Sequence, residues 1–404
     1  MDLFKIAWRN VWRNRRRTWV TISAMSFGLF FMILYAGMME GYLLGMQRGI
    51  LDLEVGDVQI FAGDYRDNPS LYTRIEDPER VVAPLLEQGY AASGRLLAFG
   101  LAAAGDSSAG VSFRGIEVDQ DATITSIGDE VAEGEWLSPD DPKGVVLGRR
   151  LARILGVSLG EEIVVLSQGS DGAMAYDLFI VRGVLRGIAD ATDRSGVFMN
   201  ADALRAMLEV PSGVHQIIVR PADDLALAQA ASHVEGVAEG LDVQTWRQLL
   251  PTLASLLESS RGVMVMMYVI MYVAIGMLIL NAMLMAVFER IRELGVLKAL
   301  GVGPLGVLRM ILIESGIQTG IAVALGTVVA LPAILYLEAT GLNLQSLAGL
   351  SVMGIAMDPV WRAAITPQTF TTPIGILLAI VALAVLYPAF KAAAIQPVEA
   401  MRHH

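Results

Sequence analysis

The 404-residue chain contains no cysteine, which excludes a disulfide framework and any thiolate metal site. Histidine is nearly as scarce. Of the four, His403 and His404 sit at the end of the sequence and are given no role, and His215 and His233 are isolated. A lone His in or beside a strand is structural far more often than it is a ligand. No GxxxxGK[ST] segment occurs, so the chain cannot cradle nucleotide phosphates in the P-loop manner. HExxH is absent too, and no cluster of His, Asp and Glu has metal-ligand spacing. The adjacent acids Asp140-Asp141, Glu161-Glu162 and Asp223-Asp224 sit beside turn signals and read as solvated turn residues. The expectation is a chain that is not an enzyme, holds no metal or cofactor of its own, and binds no nucleic acid.

Apolar sequence, in contrast, is abundant. Hydrophobic residues make up 54% of the chain and mean hydropathy is +0.54, too positive for a soluble protein of this length. Charged residues still make up 18%, too many for a chain buried wholly in lipid. The charge is segregated. Residues 41–260 hold 33 acidic and 16 basic side chains, and the rest hold 8 acidic and 14 basic. An acidic soluble domain joined to a basic membrane part satisfies both facts.

A bilayer-spanning helix needs about 20 apolar residues. Four stretches qualify, predicted as spans over 18–40, 261–288, 309–337 and 372–390. The first is too long for a signal-peptide core and lacks a small-residue cleavage site after it. Lys and Arg near span ends set orientation. Lys5, Arg9, Arg13, Arg15, Arg16 and Arg17 precede the first span. Arg290, Arg292, Lys298 and Arg309 lie between the second and third, and Lys391 and Arg402 follow the fourth. These segments fall on one side, so both termini, the 289–308 loop and the 391–404 tail are expected in the cytoplasm. The 41–260 domain and the 338–371 loop are expected outside. Within 1–17, Leu3, Phe4, Ala7, Trp8, Val11 and Trp12 recur at helical spacing opposite the basic residues, predicting a helix in the cytoplasmic membrane interface.

The exterior segment changes character. Short β-branched or alternating runs at 57–61, 111–116, 163–166, 178–181, 197–199 and 216–219 read as strands. Helical patterns sit among them at 77–88, 146–155, 201–209 and 222–235, predicting a mixed α+β domain. In the third span, Gly316, Gly320 and Gly326 permit close helix approach, at a dimer seam or within one subunit. Glu314 would be costly at mid-bilayer and is expected near the cytoplasmic edge, beside Arg309.

The 289–301 segment, Glu289-Arg290-Ile291-Arg292-Glu293-Leu294-Gly295-Val296-Leu297-Lys298-Ala299-Leu300-Gly301, is short, amphipathic and cytoplasmic. Ile291, Leu294, Val296, Leu297 and Leu300 are expected to form one apolar ridge, with the charged residues free for polar contacts. Gly295 permits close approach and Gly301 a helix stop. Such an element suits docking into a groove of a cytoplasmic protein, or serves as an ordinary basic connecting loop.

ERIRELGVLKALGV resembles the coupling-helix signature of the FtsX/MacB/Lol class of ABC permeases, also called type VII. IAWRNVWRNRRRTWVTISAMSFG is similar to that class's opening, and YPAFKAAAIQPVEAMR to its closing pattern. GVVLGRRLARILGVSLGEEIVVLS and VQTWRQLLPTL resemble a MacB-like periplasmic core. The resemblance covers nearly the whole chain in the right order. It implies four transmembrane helices with a MacB-like α+β periplasmic domain inserted between helices 1 and 2, in a bacterial inner membrane. It further implies a second permease subunit and a cytoplasmic ABC ATPase dimer that carries the ATP and Mg. Glu289, Arg290, Arg292, Glu293, Leu294, Gly295, Leu297, Lys298, Ala299, Leu300 and Gly301 would contact that ATPase. Closure of the ATPase would be relayed mechanically to the outer domain, with no substrate pore.

Span one starting near residue 18 leaves no room ahead of it for a fused ATPase, so a separate one is expected. Within the class the chain most resembles the LolC/LolE family, which implies extraction of lipoproteins from the inner membrane for a periplasmic carrier. The 20 Met residues fit a lipid substrate, because Met adapts to irregular apolar partners. Met25, Met32, Met38, Met264, Met267 and Met271, with Phe27, Phe30 and Phe31, are candidates to line an acyl-chain cavity, or are simply packing and lipid-facing residues. Two alternatives stay open: an efflux or envelope-signalling permease of the same class, and a membrane receptor with no ATPase.

Overall fold

The computed structural model describes residues 3–221, 225–289, 291–300, 302–343, 351–352, 355–356 and 360–394. The chain divides into two compact units. One comprises residues 1–44, 256–345 and 360–404, the other 45–255 and 346–359.

Apolar sequence builds the first unit. Among the described residues four helices, lying wholly or mostly in this unit, are long and apolar enough to cross a membrane: Arg15–Val55, Pro251–Glu289, Pro304–Thr340 and Pro367–Ala394. The first three have α-helical runs of 36, 39 and 37 residues. At 1.5 Å rise per residue each is about 55–60 Å long, well beyond the ~30 Å hydrocarbon core. The apolar runs at 18–40 and 261–288 therefore mark only the lipid-thick parts of longer helices. The first helix goes on through Leu43, Leu44 and Met46 to Ile50, and the second begins at Pro251.

The first and third long helices pack in parallel with a fixed offset. Ser26 Oγ donates to the Ala322 carbonyl at 3.1 Å. A Cβ on Gly326 would lie 3.0 Å from the Ser26 carbonyl, and one on Gly37 would lie 2.2 Å from Ile334 Cδ1. Gly326 therefore serves close approach within this chain. Among the described residues, a Cβ on Gly316 or Gly320 would meet nothing within 4 Å. The same offset sets buried Thr18 and Thr21 level with buried Ser315 and Gln318, and Glu314 is buried one residue before Ser315. Ile22, Leu29 and Ile33 join Tyr272, Ile279, Ile334, Leu377 and Val385 in one apolar core.

The N-terminal helix Leu3–Arg13 packs against the third long helix through Ala7 and Val11, both 0% exposed. Its expected single apolar stripe is thus divided. Ala7 and Val11 turn to protein, while Phe4 and Trp8 stay exposed. Residues after the third helix fold back on the first: Ala364 N–H donates to the Gly37 carbonyl at 2.9 Å, and Trp361 Nε1 to the Met38 carbonyl at 2.8 Å.

The second unit is a mixed α+β domain. Its strands are β1 (Val58–Phe61), β2 (Ala91–Ala104), β3 (Ser107–Ile116), β4 (Val131–Gly134), β5 (Gly144–Leu147), β6 (Glu162–Gln168), β7 (Met174–Leu185), β8 (Gly196–Asn200), β9 (Gln216–Arg220) and β10 (Asp242–Thr245). They form one sheet in the order β10-β1-β9-β2-β3-β8-β5-β7-β4, with β6 pairing β2 and β7. Pairs are antiparallel except β3 with β8 and β5 with β7. Gly100 lets β6 approach β2, because a Cβ there would lie 2.0 Å from the Leu166 carbonyl.

The helix expected over 146–155 is corrected. Val146 and Leu147 end β5, paired with β7 and β8 and fully buried, and the helix runs Arg149–Leu155. The expected helix at 222–235 is seen as Leu227–Val237, and residues 222–224 lie outside the described set.

Three strand arginines grip the π-helical turn Leu51–Val55 that precedes β1. Arg95 donates to the Glu54 carbonyl at 3.0 Å, and Arg114 pairs with the Glu54 carboxylate at 2.5 Å. Arg220 reaches the Leu51 carbonyl at 3.1 Å and Asp52 Oδ1 at 2.8 Å.

Candidate coupling surface

The amphipathic segment between the second and third spans folds as the helix Ile291–Ala299, directly after the second long helix ends at Glu289. Nine residues are too few for a helix to be stable alone in water. Its position is set by what it touches.

One side faces the rest of the subunit. Glu293 pairs with Arg13 at 2.6 Å, and Glu289 with Arg17 at 2.5 Å. Gly295 is buried, and Leu297 packs against the membrane core. Lys298 Nζ donates to the Ala393 carbonyl at 2.5 Å on the last long helix, and burial holds its pKa below the usual lysine value. Lys391 of that last helix lies over the Phe288 ring, 4.8 Å from its centroid.

The other side is open. Arg292, Val296, Ala299 and Leu300 are exposed, Leu300 by 78%. At 100° per residue these positions share one flank. The expected ridge of Ile291, Leu294, Val296, Leu297 and Leu300 is therefore corrected. Leu297 packs inward while Val296 and Leu300 turn out on the flank they share with Arg292 and Ala299. The charged residues are not all free either, since Glu289 and Glu293 are held by arginines. Arg290, Gly301 and the Leu294 side chain lie outside the described residues. The outer flank offers two aliphatic side chains and a guanidinium, a set suited to an apolar groove with an acidic rim.

The acyl-chain candidates do not converge. Met25 and Met32 are buried in the core seven residues apart. Phe27 and Phe31, 4.6 Å apart edge to face, are 64% and 44% exposed on another flank, with Phe30 at 5.1 Å from Phe31. On the second long helix Met267 and Met271 are exposed, and Met264 is half-buried beside the core, as is Met38 on the first. The set splits into a core group and an outward group.

In the outer unit, His215 is fully buried. The Leu97 N–H donates to His215 Nδ1 at 3.0 Å, and Tyr65 stacks on the ring at 5.0 Å. His233 shares a hydrogen bond of 3.0 Å with the Tyr90 hydroxyl. Gly156-Val157-Ser158-Leu159-Gly160 has the letters of a nucleophile elbow, but it leads from a helix into β6, the reverse of the strand-to-helix turn that chemistry needs. Among the described residues there is no group of three His, Asp or Glu able to hold a metal ion.

Comparison with known proteins decides the family. The MacB-like periplasmic core domain model matches residues 18–237, more than half of the chain, and the FtsX-like permease C-terminal model matches residues 265–397. The chain belongs to the MacB/FtsX class of ABC transporter permeases.

This permease is 25% identical over 307 residues to the lipoprotein-releasing system transmembrane protein LolC of Xylella fastidiosa (strain Temecula1), covering 72% of each chain. It is 22% identical over 404 residues to the LolC of Neisseria meningitidis serogroup B, covering 96% of this chain and 94% of that one. Among solved structures, the periplasmic region of MacB from Actinobacillus actinomycetemcomitans aligns at 16% identity with a TM-score of 0.38, covering 52% of this chain and 97% of that one. The permease is thus a multi-pass inner-membrane protein with a periplasmic domain, of a class that works with an ABC ATPase.

The arginines near its N-terminus carry a pairing that the sequence alone does not reveal. Arg13 and Arg17 were legible as topology charges, and their four-residue spacing matches that of Glu289 and Glu293. Nothing but that shared spacing marks them as partners.

Proposed function

We propose that the permease is driven by a separate cytoplasmic ATPase dimer, which carries the ATP and Mg, and that it extracts lipoproteins from the inner membrane for a periplasmic carrier. The observation that carries this reading is the helix Ile291–Ala299, tied to the subunit on one side and presenting Arg292, Val296, Ala299 and Leu300 on the other. The likeness to the LolC proteins supports the lipoprotein substrate. The basic residues at the span ends support cytoplasmic termini and an outer domain inserted between the first two spans.

In this mechanism the chain performs no bond chemistry. ATP-driven closure of the ATPases moves the coupling helix. The long helices then relay that displacement to the outer domain without opening a pore. A second permease subunit completes the pair, and the outward Phe27 and Phe31 flank is available to acyl chains.

The test is a mild-detergent purification from native membranes, with mass spectrometry of proteins and lipids. An ATPase recovered together with an acylated lipoprotein is the expected result. An ATPase with an efflux adaptor or a cell-wall hydrolase, and no lipoprotein, keeps the class and overturns the substrate.

A further inference from the structure

The coupling helix and the end of the long helix before it are held from the N-terminal side by two ion pairs whose geometry is regular. Arg13 and Arg17 are four residues apart, as are Glu289 and Glu293, and the pairing runs antiparallel: Arg13 to Glu293 at 2.6 Å, Arg17 to Glu289 at 2.5 Å. On each side the two partners lie in successive helices. Arg13 ends the N-terminal helix and Arg17 lies in the helix that starts at Arg15. Glu289 ends the second long helix and Glu293 lies in the one that starts at Ile291. The pairs therefore fix both helix-to-helix joints against each other.

The arginines are themselves mounted on a fixed base. Ala7 and Val11 are fully buried against the third long helix, and Asn10 Nδ2 lies 4.0 Å from Met310 Sδ. The Thr18 hydroxyl donates to the Val11 carbonyl at 2.6 Å, locking the turn between the first two helices. At its far end the coupling helix is tied to the last long helix through Lys298. A nine-residue helix with no stability of its own takes its position from these two attachments.

We infer that the N-terminal helix is a positioning strut for the coupling helix, and that Arg13 and Arg17 are positioning residues for the transmission of ATPase movement. Exposed ion pairs add little to stability. Together they nevertheless pin the N-terminal helix to the coupling helix and the first long helix to the second, and that placement decides whether Val296 and Leu300 present themselves to the ATPase at the right height. The strut also assigns these two arginines a task besides topology, while Arg9, Arg15 and Arg16 stay exposed.

This inference rests on the ATPase-driven reading above, and the test separates the two. The full permease is co-purified with its ATPase, placed in nanodiscs, and assayed for ATP hydrolysis and for release of a synthetic triacylated lipopeptide. R17E is expected to keep the ATPase at wild-type stoichiometry and to keep hydrolysis. Lipopeptide released per ATP should fall about fivefold or more. The swap R17E/E289R should restore the ratio to within about twofold. R13Q/R17Q adds no acid, leaves four basic residues to set topology, and should show the same loss. Variants that keep the wild-type ratio, or a swap as poor as R17E alone, overturn the strut and leave the function intact. Failure of the wild-type chain to recover any ATPase overturns the function and the strut with it. If the wild-type complex hydrolyses ATP without releasing lipopeptide, only the substrate falls. The strut is then read from hydrogen exchange of the 291–299 helix, which must quicken in R17E and return to the wild-type rate in the swap.

Discussion

Arg95 holds Asp121 through two parallel hydrogen bonds, Nε to Oδ1 at 2.7 Å and Nη2 to Oδ2 at 2.9 Å, with both side chains almost fully buried. The Thr125 hydroxyl donates to the same carboxylate at 2.7 Å, and the remaining Arg95 nitrogen reaches the Glu54 carbonyl. Every polar atom of a buried pair must be matched in this way, because removing one partner strands a charge in low dielectric. D121A is expected to cost about 3–5 kcal/mol locally. Hydrogen exchange of peptides covering 91–95 and 118–126 should report it as lost protection, with the membrane helices unchanged.

His215 makes the outer unit acid-sensitive. Burial, helped by the nearby Arg74 and Arg205, pushes its pKa down from 6.5 to about 4. The unfolded chain therefore binds more protons than the folded one between those values, so stability rises with pH across the window. The contribution is complete above about pH 6.5 and lost as the pH falls to about 4, amounting to roughly 3 kcal/mol. H215N, which keeps an acceptor for the Leu97 N–H, should flatten that dependence in melts recorded from pH 7 to pH 4.

Two glycines four residues apart on the first long helix make opposite predictions. A Cβ on Gly41 would sit 2.0 Å from the Arg362 carbonyl, whereas one on Gly45 meets nothing within 4 Å. G41A must push the 361–364 segment off the helix, at a cost of about 1–3 kcal/mol. G45A should be neutral or stabilising by up to ~1 kcal/mol, since alanine favours helix over glycine. Thermal melts of the two variants in detergent compare them directly.

The Met and Phe candidates of the first span separate by the same logic. Met25 is 1% exposed in the core, so M25A should cost about 2–5 kcal/mol of stability. Phe27 and Phe31 face outward, so F27A/F31A should fold normally and lose lipoprotein release. Release unchanged in a well-folded F27A/F31A protein would remove that flank from the substrate path.

The sequence made the four spans legible because lipid-thick apolar runs leave few other readings. It made most of the sheet legible too, through β-branched runs such as Ile163-Val164-Val165 and Gln216-Ile217-Ile218-Val219. β2 went unread. Its sequence, AASGRLLAFGLAAA, is rich in Ala and Gly, and it is a strand because β9, β3 and β6 pair with it. That is a tertiary cause with no local signature. The coupling helix was visible as an amphipathic segment, but which flank faces inward was not. Its inward contacts come from residues distant in sequence, Arg13 at one end and Ala393 at the other. The Met candidates failed to converge for a related reason: composition counts side chains but does not say which face of a helix carries each one.

The account's central claim is that a separate ATPase grips the outward flank of the helix Ile291–Ala299. The most direct measurement is the amount of ATPase recovered with wild-type permease and with V296E/L300E, purified side by side in a mild detergent. The account predicts a stoichiometric ATPase with the wild type and its loss from the variant, while the variant stays folded by circular dichroism and keeps its melting temperature. Equal recovery of the ATPase from both proteins, or none from the wild type, would contradict it.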